Sequence, residues 1–123
     1  MEEEDTPVLL VEDNPVNQKL AQIVFQSLHQ AVHIASSGEE AIALLQKQSY
    51  KLLIMDIQLP GMDGVETARK IKDEYGKDAP PIIALTAGGY NEEKKFYTEA
   101  GMQDILLKPI NKKQLQEVLQ RWL

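Results

Sequence analysis

The 123-residue sequence predicts one α/β domain built on a mostly parallel five-stranded sheet, and three observations predict it. Four short apolar runs, Val8 to Val11, Leu52 to Met55, Ile82 to Leu85 and Ile105 to Leu107, are too brief for core helices and rich enough in branched residues for strands covered on both faces. Segments with a helical period separate these runs. Polar residues with capping spacing stand where those segments begin, and glycines where they should stop. Right-handed crossovers leave few topologies, and the loops after parallel strands gather at one edge of the sheet, where ligands bind near the switch in strand order.

The elements follow in order. MEEED, residues 1–5, has no apolar anchor and is expected to be a solvated acidic tail, with the domain proper over 6–123. After Val8 to Val11, the residues Val16, Leu20, Ile23, Val24 and Leu28 form an apolar stripe and predict a first helix. Ala31 to Ala35, more mixed and with His33 at its centre, fits an outer strand. Ser37 with Glu40 has capping-box spacing and opens a second helix, whose inner side begins with Ala41, Leu44 and Leu45. Beyond Leu52 to Met55, Asp63 with Glu66 opens a third helix, with Val65, Ala68 and Ile71 inward and Gly76 at its end. After Ile82 to Leu85 come Gly88 and Gly89, a helix start at Asn91, a weak stripe of Phe96 and Ala100, and a stop at Gly101. Asn111 with Gln114 caps the last helix, which turns Leu115, Val118, Leu119 and Trp122 inward.

Composition limits the function. Asp and Glu number 19 against 13 Lys and Arg, and the formal charge of -6 argues against a generic binder of phosphate backbones, so nucleic acid is not an expected direct partner. No cysteine is present, which excludes disulfides and thiolate metal sites and suits a reducing cytoplasm. No apolar stretch approaches the roughly 20 residues that cross a bilayer. His29 and His33 have no triad or metal-ligand spacing around them and read as ordinary surface or strand residues.

The ends of the strands carry the chemistry. The first is followed by Glu12 and Asp13, the third by Asp56, the fourth by Thr86 and the fifth by Lys108 and Pro109. Taken singly, an acid after a strand is turn chemistry, Thr86 a β-branched strand residue and Lys108 a solvated loop end. Together they meet on one rim. Three carboxylates at ~6 Å and an effective dielectric near 20 repel by roughly 2–3 kcal/mol per pair, so positive charge belongs among them. Lys108 supplies one charge and an oxygen-liganded divalent cation two. Mg²⁺ fits best, since it takes one or two carboxylates and keeps waters and room for a phosphoryl group, while a calcium loop lacks its D-x-[DN]-x-[DN]-G spacing here. A rim so neutralised can accept a phosphoryl group onto a carboxylate, and Asp56, on the central run, is the expected nucleophile.

The stretches LLVEDNPVNQKLA, LLIMDIQLPGMDG, PIIALTA and GMQDILLKPI, in this order, resemble a response-regulator receiver domain over essentially the whole chain. The resemblance implies a flavodoxin-like (βα)5 doubly wound sheet of strand order 2-1-3-4-5, a fold the same family commonly illustrates. It implies that Asp56 takes a phosphoryl group from a phosphohistidine on a histidine kinase or histidine phosphotransfer domain, with Mg²⁺ required. Asp13 and Asp56 would ligate the metal directly, Glu12 through water, and the backbone carbonyl of Gln58 as well. Thr86 and Lys108 would contact phosphoryl oxygens, and the Lys108–Pro109 bond would be cis. The wording VEDNPVNQ and MDIQLPGMDG is most similar to receivers of hybrid sensor histidine kinases, so the chain is expected to be part of a longer protein. A free-standing regulator is the alternative.

One departure stands out: Ile105 occupies the place, three residues before the lysine, where receivers commonly carry an aromatic switch residue. Isoleucine has no phenolic hydroxyl and a stiffer rotamer repertoire, which suits a phosphoryl relay better than a large conformational switch. Gln58, two residues after Asp56, can orient or exclude the water that hydrolyses an acyl phosphate, or be a solvated loop amide. Partner choice is expected to involve the first helix, from Asn14-Pro15-Val16-Asn17, and the surface near Pro109 and Ile110. Rival functions remain open: a flavin or nucleotide binder of the same architecture, which acids at 12 and 13 disfavour; an aspartyl phosphatase, which would want a second acid where Gln58 stands; and a pseudo-receiver that binds partners without phosphorylation.

Overall fold

The computed structural model describes residues 7–59, 61–87 and 97–123. The acidic tail 1–5, Gly88, Gly89, the helix start at Asn91 and Phe96 lie outside the described residues. Strands β1 (Val8–Val11), β2 (Val32–Ala35), β3 (Leu52–Asp56), β4 (Ile82–Thr86) and β5 (Asp104–Leu107) form one parallel sheet in the order β2-β1-β3-β4-β5. Helices α1 (Pro15–Ser27), α2 (Gly38–Lys47) and α3 (Gly64–Tyr75) alternate with them, followed by a 3-10 turn at Gly76–Asp78, the helical residues 97–99 (α4) and α5 (Lys112–Trp122). The expected architecture and strand order are those observed.

The period of two along each strand divides the core. Val8 and Leu10 of β1 point to the layer of α1 and α5, where Phe25, Leu115 and Val118 cover them. Leu9 and Val11 point to the layer of α2 and α3, against Ala41, Ala68 and Ile71. Because β1, β3 and β4 are buried at every residue, their sequences show no polar alternation.

Local chemistry starts each helix as its spacing predicts. Ser37 Oγ accepts from the Glu40 N–H at 3.1 Å, Asp63 Oδ1 from the Glu66 N–H at 2.8 Å, and Asn111 Oδ1 from the Gln114 N–H at 2.9 Å. Asn14 caps α1 in the same way, with Pro15 as its first residue. Gly101, at φ +94°, ends α4: its N–H donates to the Thr98 carbonyl and that of Met102 to Tyr97. The end of α1 uses the same pair of bonds, Gln30 to Phe25 and His29 to Gln26, with His29 at φ 55° in the position glycine usually takes.

The stripe expected on α1 is corrected. Val16, Leu20 and Ile23 are 67%, 47% and 55% exposed, and the residues facing the core are Ala21 and Phe25, with Val24 and Leu28 half-buried beside them. The helix is apolar around more of its circumference than one sheet face can cover. Its buried centre is turned by roughly 100°, one residue's rotation, from the stripe read in the sequence.

Candidate functional site

The C-terminal edge of the sheet collects the residues that follow its apolar runs. Glu12, Asp56 and Thr86 are between 1% and 3% exposed, because each stands one residue past a fully buried stretch and is still walled by the helices. Buried carboxylates of this kind need donors or counter-charges. Asp56 has both: Lys108 Nζ donates to its Oδ2 at 2.8 Å, and the Gln58 N–H to its Oδ1 at 2.9 Å. Lys108 is held beside β4 by its own N–H, which donates to the Thr86 carbonyl at 2.8 Å, and the bond to Pro109 is cis.

Glu12 is less well supplied. The Asn14 N–H donates to its Oε2 at 3.1 Å, and Asn17 adds a side-chain hydrogen bond. Burial is the largest influence on its carboxyl and raises it above the ordinary value, with the Asp56 charge pushing the same way. Asn14, Lys108 and Asn17 oppose that rise without cancelling it. One oxygen each of Glu12, Asp13 and Asp56 lies within 4.8 Å of the others. At an effective dielectric near 20, this crowding repels by about 3–4 kcal/mol per pair before screening, more than a separation of ~6 Å would produce.

The donor set tests which cation fits. Three carboxylates and no imidazole or thiolate are hard oxygen ligands, and the ammonium of Lys108 leaves the group short of neutral. A small oxygen-seeking divalent cation fits this set, and a softer metal that prefers nitrogen or sulfur does not.

All five strand-end residues named from sequence, Glu12, Asp13, Asp56, Thr86 and Lys108, therefore share one edge, Thr86 ending the strand next to that of Asp56. Gln58 is exposed and reaches Asp56 through its backbone N–H. Ile105 sits on β5 opposite Ala84, half-buried against the α2–α3 layer. The two histidines are where the spacing left them, outside the site: His29 ends α1, and His33 Nδ1 lies 2.7 Å from the hydroxyl of Tyr50.

Sequence reasoning passed over Gly64. A Cβ there would stand 2.2 Å from the carbonyl oxygen of Asp56, so only glycine lets the start of α3 approach the end of β3. The signal available was a glycine directly after an N-cap aspartate, which reads equally as an ordinary helix start.

Known proteins are similar to this chain in sequence and in fold. The sensor protein GacS of Pseudomonas syringae is 37% identical over 118 residues, which are 94% of this chain and 13% of GacS. The aerobic respiration control sensor protein ArcB of Escherichia coli is 38% identical over 116 residues, 89% of this chain and 15% of ArcB. Among solved structures, the receiver domain of a sensor histidine kinase of Pseudomonas aeruginosa, crystallised with a magnesium ion coordinated in its active-site cleft, superposes with a TM-score of 0.84. It is 38% identical, with 95% of this chain and 96% of that one covered. The receiver of a Saccharomyces cerevisiae response regulator, solved with a histidine phosphotransfer signalling protein, gives 0.86 at 29% identity, covering 96% of this chain and 88% of that one. The family model described as the response regulator receiver domain matches residues 8–120, and with the fold and the acidic edge as found, this chain belongs to that family.

Proposed function

We propose that the domain accepts a phosphoryl group from a phosphohistidine onto Asp56. The observation that carries this reading is the convergence of three carboxylates within 4.8 Å, one of them, Asp56, held at 2.8 Å by Lys108. A carboxylate oxygen of Asp56 forms the new P–O bond as the P–N bond breaks, and the imidazole nitrogen keeps the electron pair. Lys108 then carries its charge from the carboxylate to a phosphoryl oxygen, and the Thr86 hydroxyl donates to another. The Gln58 N–H steadies the Asp56 oxygen it already contacts. Asp13 and Asp56 directly, Glu12 through water and the Gln58 carbonyl would hold Mg²⁺, which supplies the two positive charges that the lysine alone leaves wanting. The magnesium-bearing cleft of the Pseudomonas aeruginosa receiver supports the choice of metal.

The partner in this reading is a histidine kinase or a histidine phosphotransfer domain, as in the yeast complex. Exposed Val16, Leu20 and Ile23 on α1, with Leu20 lining the same cavity as Pro109 and Ile110, form the apolar ground on which its phosphohistidine-bearing surface would settle. By likeness to GacS and ArcB, the domain would serve inside a hybrid sensor kinase. No helix among the described residues is long and apolar enough to cross a membrane.

Mixing the protein with a small acyl-phosphate donor and Mg²⁺ and measuring intact mass tests the central step. The wild type gains one phosphoryl group and Asp56→Asn gains none. Equal gain by both would remove Asp56 as the acceptor.

A further inference from the structure

We propose that Gln18 is a positioning residue that sets the acidic loop for Mg²⁺, an inference that rests on the phosphoacceptor reading. β1 and β2 run in register through Val11 and Ala35, and the Glu12 N–H still donates to the Ala35 carbonyl at 2.9 Å. One residue further on, β2 turns away. The parallel ladder would next use the Ser37 N–H, but β2 ends at Ala35 and no backbone N–H among the described residues donates to the Glu12 carbonyl. Gln18, from the start of α1, takes that place: its Nε2 lies 2.6 Å from the Glu12 carbonyl oxygen and 3.2 Å from Ser36 Oγ.

That carbonyl belongs to the peptide joining Glu12 to Asp13. Fixing the peptide plane fixes the direction in which each carboxylate leaves the backbone, and two of the three crowded oxygens are theirs. The mutual repulsion of the acids pushes the loop to open, and the amide of Gln18 is a neutral restraint against it. A basic side chain would quench the acids as well as hold them, whereas an amide orients the loop and leaves their charge for the metal. Gln18 itself touches none of the reacting groups among the contacts above; it acts through the backbone it holds.

The test is Mg²⁺ affinity by titration calorimetry, with thermal unfolding measured in parallel. Gln18→Met keeps the length of the side chain and removes the donor, and it is expected to weaken Mg²⁺ binding about tenfold, the range seen when supporting partners of metal ligands are lost. At saturating Mg²⁺ its phosphorylation rate should return to about twofold of wild type, since the reacting groups are intact. Gln18→Asn, whose amide falls one methylene short, is the second variant and should change affinity in the same direction. Asn111→Ala removes the cap of α5 and should lower the unfolding midpoint while leaving Mg²⁺ affinity unchanged. Wild-type affinity in both Gln18 variants, or an equal loss in Asn111→Ala, overturns this inference alone. Wild-type protein that binds no Mg²⁺ overturns the metal reading and this inference with it.

Discussion

Each end of β5 carries or adjoins one member of an aspartate–base pair, and the two pairs are built for opposite purposes. At the C-terminal end, Lys108 meets Asp56 among two further acids. At the N-terminal end, Asp104 meets Arg121 of α5, and its carboxylate also accepts from the Trp122 indole at 2.8 Å and the Ile105 N–H at 2.8 Å. Burial would raise the Asp104 carboxyl, but Trp122, Ile105 and Arg121 outweigh it and hold the group below its ordinary value. Three donors from within the chain reach its two oxygens. The other end is left short of positive charge, and burial, with the Asp56 charge beside it, raises Glu12 there. A satisfied carboxylate fastens α5 to the sheet, while an unsatisfied group of them is available to a cation and a phosphoryl group.

The largest effect should come from removing the base at the acidic end. Lys108→Met is expected to slow phosphorylation of Asp56 by about 10²-fold or more, the scale of losing one donor that stabilises transition-state charge. Stopped-flow or quench-flow measurement with a small acyl-phosphate donor at saturating Mg²⁺ reads it directly. A rate within a few fold of wild type would mean that the pair at 2.8 Å is structural, like its counterpart at Asp104.

Stability should separate the ends next. Asp104→Asn weakens several bonds to a charged acceptor and should cost about 2 kcal/mol in urea unfolding. Asp56→Asn removes one of three crowded acids together with one half of an ion pair, so the metal-free protein should be no less stable than wild type. A loss at Asp56 equal to that at Asp104 would erase the distinction. Mg²⁺ supplies a smaller difference: at ten times its dissociation constant it should stabilise the wild type by about 1.4 kcal/mol and Asp56→Asn by much less.

The acidic end was far more legible in the sequence than the other. Strands buried on both faces leave continuous apolar runs, so the first polar residue after each run marks the edge, and parallel topology puts those edges together. Asp104 gave no such signal. Its partners, Arg121 and Trp122, lie seventeen and eighteen residues on, and Trp122 read only as one more inward apolar residue of α5. The rotation of α1 escaped because Ala21 and Phe25 flank an apolar arc wide enough to offer two faces. Gly64 and Gln18 act by close approach and by completing a ladder, which depend on the distance between elements rather than on any local pattern.

The pH dependence of stability should carry opposite slopes from the two ends in metal-free protein. Glu12 is raised in the folded state above its ordinary 4.5, so between 4.5 and its folded value the native protein holds the proton that the unfolded chain has lost. Stability therefore falls as pH rises through that window. Asp104 is lowered below its ordinary 3.8, so its contribution is fully present above 3.8 and is lost as pH falls through the folded value. Unfolding free energies measured across acid pH should accordingly lose part of their upper slope in Glu12→Gln and part of their lower slope in Asp104→Asn. Identical profiles for the two variants would show that both ends of β5 respond to protons alike, and that the contrast in their donors has no thermodynamic consequence.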